Sequence, residues 1–367
     1  MILAAATNES LAQTSNYLVY SSMAVYTLAF MAHIAEWVFG SRSKVGRTAA
    51  ALTGAGSGAG AEGAAAPAVT VQVKTAGGGT AVLDRPKVVT RSASGSRDVP
   101  DGPGAAGGTV KGDLYGRIAV SLTALAALLE AGGVLTRALS VQRAPWGNMY
   151  EFSITLSTVA VVAYLVFLAA KKNVRWIGLP LVTTVLLVLG LATTVLYTDS
   201  DQLVPALHSY WLWIHVSTAI VCGSVFYLGA VATVLYLFRD SYENKLANGG
   251  DPSGFARSVL ERLPAAATLD KFAYRVIAAF FPLWTFTIIA GAIWAGEAWG
   301  RYWGWDAKEV WSFITWVAYA AYLHARATAG WKGRKAAYIA LVAFACYLFN
   351  FYGVNIFVNS LHSYAGV

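Results

Sequence analysis

Runs of about 20 consecutive, mainly apolar residues recur along the chain, and no other property constrains its fold as tightly. Eight are legible: Tyr17–Phe39, Leu114–Arg137, Tyr150–Ala170, Trp176–Tyr197, Trp211–Phe238, Tyr274–Ala295, Val310–Ala329 and Ala336–Val358. At about 1.5 Å of helix per residue, each is long enough for a hydrocarbon core about 30 Å thick. A segment in lipid must satisfy its own N–H and C=O groups, so these runs are expected to be helices. Composition agrees: 57% of the 367 residues are hydrophobic and 13% are charged. A soluble surface needs roughly twice that charge. The expected fold is an all-α integral membrane protein with about eight transmembrane helices.

Eight spans put both termini on one side of the membrane, and the basic residues decide which. With Met1 outside, the inner segments 40–117, 171–175, 239–275 and 326–335 hold 23 of the 27 Lys and Arg. Arg137, Arg143, Arg301 and Lys308 are left outside. Lys and Arg concentrate on the cytoplasmic side, so both termini are expected on the outer face. The net charge of +8 lies mostly in those inner loops. It therefore reads as an orientation signal and excludes a nucleic-acid footprint.

The first inner stretch, 40–113, is Gly/Ala-rich, with Gly54-Ala55-Gly56-Ser57-Gly58-Ala59-Gly60 and Gly77-Gly78-Gly79. Such a composition cannot build a core, so a long disordered cytoplasmic linker is expected there. It separates an N-terminal transmembrane helix (1–39) from a seven-helix body (114–367). The second inner stretch, around Leu246 to Arg262, is charged and reads as a short surface helix. Met1 to Asn16 has no basic n-region and no usual cleavage site, so no removable signal peptide is expected. Cys222 and Cys346 each lie within an apolar run, which excludes a disulfide framework or a CxxC redox motif.

The outer segments carry the chemistry. One holds Pro145-Trp146-Gly147-Asn148-Met149-Tyr150-Glu151, and another runs from Thr198 to Tyr210. The tail, Asn359 to Val367, contains His362. The most informative is the loop 294–311, because six of the 13 Trp fall between 294 and 316, at 294, 299, 303, 305, 311 and 316, five of them in the loop itself. An interfacial aromatic belt spreads Trp over all span ends. Here they crowd one loop, interleaved with Gly296, Gly300 and Gly304, which would let backbone approach a flat partner. Such a platform suits a large planar apolar ligand.

The histidines sort by depth. His208 lies in an outer loop, His215 near the outer end of span five, and His362 just beyond span eight. His33 and His324 lie in the inner half of the bilayer, where polar groups are costly and usually functional. Two outer histidines beside an aromatic platform, with two deeper ones, fit bis-imidazole ligation of an iron porphyrin at two levels. Helix–helix hydrogen bonding is the competing role for His33 and His324. Zinc is the weaker rival, since no HxxxH or Cys/His cluster occurs. His208 shares a helical face with His215 but reads as a loop residue.

These residues resemble a known family. The stretch WAGEAWGRYWGWDAKEVWSFITWVAYAAYLHAR (294–326) resembles the tryptophan-rich WWD signature of heme-handling membrane proteins. Within them it is similar to the CcsA proteins of System II cytochrome c biogenesis, also called ResC, or CcsB in some bacteria. LVPALHSYWLWIHV, YLHAR, NIFVNSLHSYAG and WGNMYEFS match that family's other motifs in order, over about Leu114 to the C-terminus. Two positions depart from the pattern: Ala307 stands where Pro is frequent, and His208 where Gln is common.

The resemblance implies a holocytochrome c synthase (heme lyase) that works with a ResB/CcsB-type membrane subunit. Heme b would be both bound ligand and substrate, carried across the membrane and attached through thioethers to the CxxCH motif of apocytochrome c. A thiol-reducing, thioredoxin-like system would keep the substrate cysteines reduced. His215 and His362 map to the axial ligands of the outer site, and His324 to the intramembrane ligand. His33, or a residue of the membrane subunit, would complete that inner pair. The loop gripping heme would comprise Trp294, Trp299, Trp303, Trp305, Asp306, Glu309 and Trp311, with Asn148, Tyr150 and Glu151 in support. The implied location is a bacterial cytoplasmic membrane rather than a thylakoid. Two alternatives stay open: a heme exporter or chaperone without synthase activity, and a b-type electron-transfer protein.

Overall fold

The computed structural model describes residues 7–41, 99, 101–201 and 209–362. Its long helices are α1 (Glu9–Ser41), α2 (Val110–Val141), α3 (Met149–Ala169), α4 (Gly178–Thr194, entered through a 3₁₀ turn at Arg175–Ile177) and α5 (Tyr210–Ala247). A short α6 (Gly254–Leu260) follows, at the place where the charged inner loop predicted one. Then come α7 (Ala266–Trp299), α8 (Ala307–Ala327), α9 (Arg334–Leu348), a π turn (Phe349–Gly353) and α10 (Val354–Phe357). Among the described residues there is no strand.

Seven of the expected spans are helices long and apolar enough to cross a membrane. This is an all-helical, multi-pass membrane protein. The remaining expected span is α8, which has the length, at 21 residues, but not the apolarity. Lys308 and Glu309 open it, His324 and Arg326 close it, and Trp and Tyr fill its middle. Of the about eight expected spans, seven are apolar helices and the eighth is a mixed helix packed beside α9.

Helix α1 runs antiparallel along α2, and their interface holds a column of buried polar groups. Gly116, Thr123, Glu130 and Arg137 recur every seventh residue of α2, hence on one face about 10 Å apart. Each meets its own set of partners. Beside Gly116, Arg175 bridges Glu36 (2.9 Å) and Asp113 (2.8 Å). The Thr123 hydroxyl lies 3.4 Å from His33 Nε2. Glu130 accepts from Tyr26 (2.8 Å) and Ser157 (2.5 Å). Arg137 donates to Glu151 (3.1 Å) and to the Thr198 carbonyl. Polar groups away from water persist only when paired, so this column specifies how α1, α2 and α3 stack.

The two ends of the bundle differ in charge. One end gathers the start of α1, the loops after α2, α4 and α7, and the tail: Asn8 donates to Ser140, Arg143 to Glu151, and His362 to Asp306. The opposite end collects Arg175, Arg239, Arg262, Arg326 and Arg334, each hydrogen-bonded to a carboxylate or a carbonyl. Cys222 and Cys346 are unlinked.

The linker expected at 40–113 needs a new boundary. Residues 42–98 and 100 lie outside the described residues, but 101–109 are docked. Gly102 and Gly104 donate to Leu263 and Arg262, Asp101 accepts from Ala265, and Arg262 reaches back to Ala105 and Trp37. Helix α2 then starts at Val110, capped by the Thr109 hydroxyl. Glycine composition hid this segment because its order comes from partners far along the chain.

A Cβ at Gly116 would run into the Arg175 guanidinium and the Glu36 carboxylate, while one at Gly190 would meet nothing. Gly116→Leu is therefore expected to destabilise the bundle by about 3 kcal/mol, combining overpacking with a split buried ion pair. Gly190→Ala should be neutral or slightly stabilising. Thermal unfolding of the detergent-solubilised variants checks both; equal midpoints would remove the column's structural role.

Candidate functional site

At the end opposite the Arg cluster, α3, α5, α7, α8 and the α9–α10 segment surround an open cavity enclosing about 1070 Å³ of empty space, its mouth included. His215 and His362 both line it, with Trp146, Trp284, Trp294, Trp299 and Trp303. Trp294 is the hinge of the arrangement. Its ring centroid lies 5.9 Å from that of His215, 6.4 Å from that of His362 and 5.6 Å from that of Trp299. Trp299 stands edge-on to His362 at 5.1 Å.

Each imidazole is held through the same nitrogen. His215 Nδ1 lies 2.8 Å from the Thr287 carbonyl, which can only accept, so Nδ1 carries the proton. Gly291, one turn further along α7, makes room for the ring, since a Cβ there would sit 2.6 Å from His215 Cε1. His362 Nδ1 donates to Asp306 Oδ2 at 2.9 Å. Burial pushes the His362 pKa below the usual imidazole value, against the pull of Asp306. Burial also acts to raise Asp306, but hydrogen bonds from His362, Leu361 and Lys308 outweigh it and bring Asp306 down to about 2. The stable pair at neutral pH is thus a carboxylate and a neutral imidazole. In both histidines the tautomer leaves the lone pair on Nε2, the arrangement in which imidazole ligates a metal.

A sequence model described as Cytochrome C assembly protein matches residues 146–362, well over half of the chain. The chain belongs to that family. Among its relatives, the cytochrome c biogenesis protein CcsA of Trieres chinensis is 36% identical over 250 residues, 60% of this chain and 77% of the relative. That of Guillardia theta is 39% identical over 233 residues, 60% of this chain and 76% of its own. The CcsA of Microcystis aeruginosa (strain NIES-843 / IAM M-2473) is 36% identical over 290 residues, covering 67% and 85%. This is a CcsA-type cytochrome c biogenesis protein, and the two ends of the family match, Trp146 and His362, face one cavity.

The Trp-rich loop is shaped by its turns and by the cap of α8. Helix α7 ends at Gly300, whose φ of +69° suits a residue without a side chain. Trp305 takes φ +59°, a conformation non-glycine residues rarely adopt. Asp306 then caps α8, and Glu309 reaches back to the Gly304 and Asp306 amides (2.8 and 3.0 Å) and to Arg301 (3.1 Å), completing a capping box.

The other expected site residues divide. Trp294, Trp299, Trp303, Glu309 and Asn148 are on the cavity wall; Trp305, Asp306 and Trp311 are not. Trp305 is 68% exposed and touches Trp303 edge-on at 5.7 Å. Trp311 packs on Phe349 at 4.2 Å. Asp306 is bonded to His362 Nδ1 and to the Leu361 amide. Glu151 is buried, accepting from Arg137, Arg143 and Gly147, and Tyr150 lies under the Arg137 guanidinium. Asn148 caps α3 through the Glu151 amide. The loop glycines also serve the loop: Gly296 gives space to the Tyr302 ring and Gly304 to Arg301.

His33 and His324 are not brought together. His33 is fully buried at the α1–α2–α4 junction, 3.4 Å from both Glu36 and Thr123, whereas His324 is exposed on α8. His208 lies outside the described residues. Sequence reasoning passed over Trp284, Thr287, Gly291, Lys308, Asn350 and Asn355, all of which line the cavity. Thr287 and Gly291 carried a signal, a helical i, i+4 spacing below Trp294–Ala295. Asn350 had none, because the π turn that turns it inward cannot be read from composition.

Asp306 ties the tail to α8, and its folded pKa of about 2 lies below the free value of 3.8. A depressed carboxylate stabilises above its free pKa, so this tether is fully present above about pH 4, is lost as pH falls through about 2, and is worth about 2 kcal/mol. Asp306→Ala should raise hydrogen exchange at the Leu361 and His362 amides at neutral pH to the level the wild type reaches in acid. Unchanged protection would mean the tail is held by other contacts.

Proposed function

We propose that the protein is the heme-handling subunit of a System II holocytochrome c synthase, with His215 and His362 as axial ligands of heme held in the outer cavity. One observation carries this reading: two histidines far apart in the chain meet on a single Trp-lined wall, each tautomerised to offer Nε2. The residues fit the group. Two imidazoles suit a low-spin iron, and indole faces suit a flat macrocycle. Partnerless indole N–H groups of Trp146 and Trp284 add donors for a polar edge.

In this reading heme b enters from the cytoplasmic side of a bacterial membrane and is presented on the outer face, and the distribution of basic residues supports that direction. Attachment adds the S–H of each CxxCH cysteine of apocytochrome c across a vinyl C=C. A C–S bond forms, the proton goes to the other vinyl carbon, and no electrons are exchanged. The chain's contribution is proximity and orientation: Asp306 and the Thr287 carbonyl hold the imidazoles, the imidazoles hold the plate, and the Trp walls exclude water. The substrate histidine of CxxCH can replace one axial imidazole and release the product. The substrate thiols must arrive reduced, and a thioredoxin-like system supplies that. A ResB/CcsB-type subunit is the proposed partner. The exposure of His324 supports a second ligand contributed by that subunit, and the enclosure of His33 among Glu36 and Thr123 supports a packing role instead.

His215→Ala and His362→Ala should each abolish cytochrome c assembly and the low-spin heme spectrum of the purified complex, with partial return on adding imidazole. His324→Ala should lower copurified heme without disturbing the outer site. Wild-type assembly by both outer variants would refute the ligand assignment.

A further inference from the structure

The cavity wall carries one cation with no salt bridge among the described residues, and the reading above does not use it. Among the described residues on its wall, Lys308 is the only Lys or Arg and Glu309 the only carboxylate. Glu309 is consumed by Arg301 and two backbone amides. Lys308 forms no salt bridge among the described residues; its Nζ donates to Asn355 Oδ1 at 2.8 Å and stands 5.3 Å from the centre of the Phe351 ring. The nearby Asp306 is off the wall, with its oxygens taken by His362 Nδ1 and the amides of Leu361 and Lys308. Lys308 also lies in the first turn of α8, where the helix dipole adds positive potential. A cation held by an amide and an aromatic face, on a wall whose one carboxylate is already engaged, is a receptor for an anion.

We infer that Lys308, steadied by Asn355 and Phe351, is a carboxylate subsite that holds an acidic edge of the planar ligand in the cavity. The inference rests on the heme reading and deepens it. Heme b carries its two propionates along one edge and its vinyl groups away from them. The two axial imidazoles fix the iron but leave the plate able to rotate in its own plane. A cation on one wall stops that rotation and sets the propionate edge towards α8, so the vinyl side is offered to the substrate thiols. Lys308 is in this sense a positioning residue: it orients the plate and takes no part in thioether formation.

Full-length protein, purified in detergent from a heme-deficient host, is titrated with hemin and with hemin dimethyl ester, following the Soret absorbance. Wild-type protein should bind hemin about tenfold more tightly than the diester, the effect of one charge-assisted contact. Lys308→Met should weaken hemin to the diester level while leaving diester affinity unchanged, which separates loss of the contact from misfolding. Lys308→Arg should keep most of the preference. A wild type that binds both porphyrins equally, or a Lys308→Met protein that keeps the preference, overturns the subsite and leaves the heme reading standing. A wild type that binds neither overturns the heme reading, and the subsite with it.

Discussion

The Asp306 carboxylate lies where three separate parts of the chain must agree, and the outer site depends on it. It caps α8, accepts the Leu361 amide and receives the His362 Nδ1 proton, so one side chain sets where the helix starts, where the tail lies and which imidazole nitrogen keeps its lone pair. A carboxylate so well supplied with donors stays ionised across the physiological range. His362 beside it stays neutral because burial disfavours its charged form. A neutral imidazole with its outward nitrogen determined is what ligation needs. The Thr287 carbonyl does the same for His215 without a charge. One imidazole is therefore held by an anion and the other by a peptide dipole.

Behind the site, the bundle solves a different problem. Glu36, Glu130, Arg137 and Glu151 are all fully buried, and each has a partner within the bundle. Such pairs add little net stability over apolar packing, yet breaking one is expensive, so they act as registers between helices. The seven-residue recurrence on α2 lets one helix face serve four registers in turn. It holds α1, α2 and α3 rigid, and α3 in turn presents Asn148 and Met149 to the cavity. The other half of the body is held by aromatic contacts instead, with Phe226 tilted on Tyr319 at 4.3 Å and Trp284 edge-on to Tyr347 at 5.6 Å. This half carries the wall of the site, where shape rather than charge is required.

Helix α8 makes the connection between site and membrane. Its lower apolarity follows from its tasks: the capping box and Lys308 at the cavity end, His324 exposed along its length, and Arg326 paired with Asp270 at the far end. A helix built only to span lipid would carry none of these. The signature loop preceding it is equally specialised. Arg301, Glu309 and the turn at Trp305 hold it closed, and Trp299 and Trp303 are what it delivers to the wall.

Much of this was readable in the amino-acid order alone. Apolar run length determined the helical, membrane-spanning class, because lipid tolerates no other way of satisfying a lone backbone segment. The placement of Lys and Arg separated the two ends, and the crowding of Trp in 294–311 marked the functional loop. The identity of His215 and His362 came from motif resemblance. Tertiary structure decided the rest. Trp305 and Trp311 left the wall while Trp284 joined it, since a Trp count carries no direction. Asp306 was found bonded to His362 and Leu361, and Lys308 on the cavity wall without a salt bridge among the described residues, because a side chain's role depends on which neighbours have already consumed its hydrogen bonds. Hydropathy and spacing are local quantities, fixed by a few adjacent residues. Convergence, tautomer and uncompensated charge arise only when distant segments pack, and they belong to the fold.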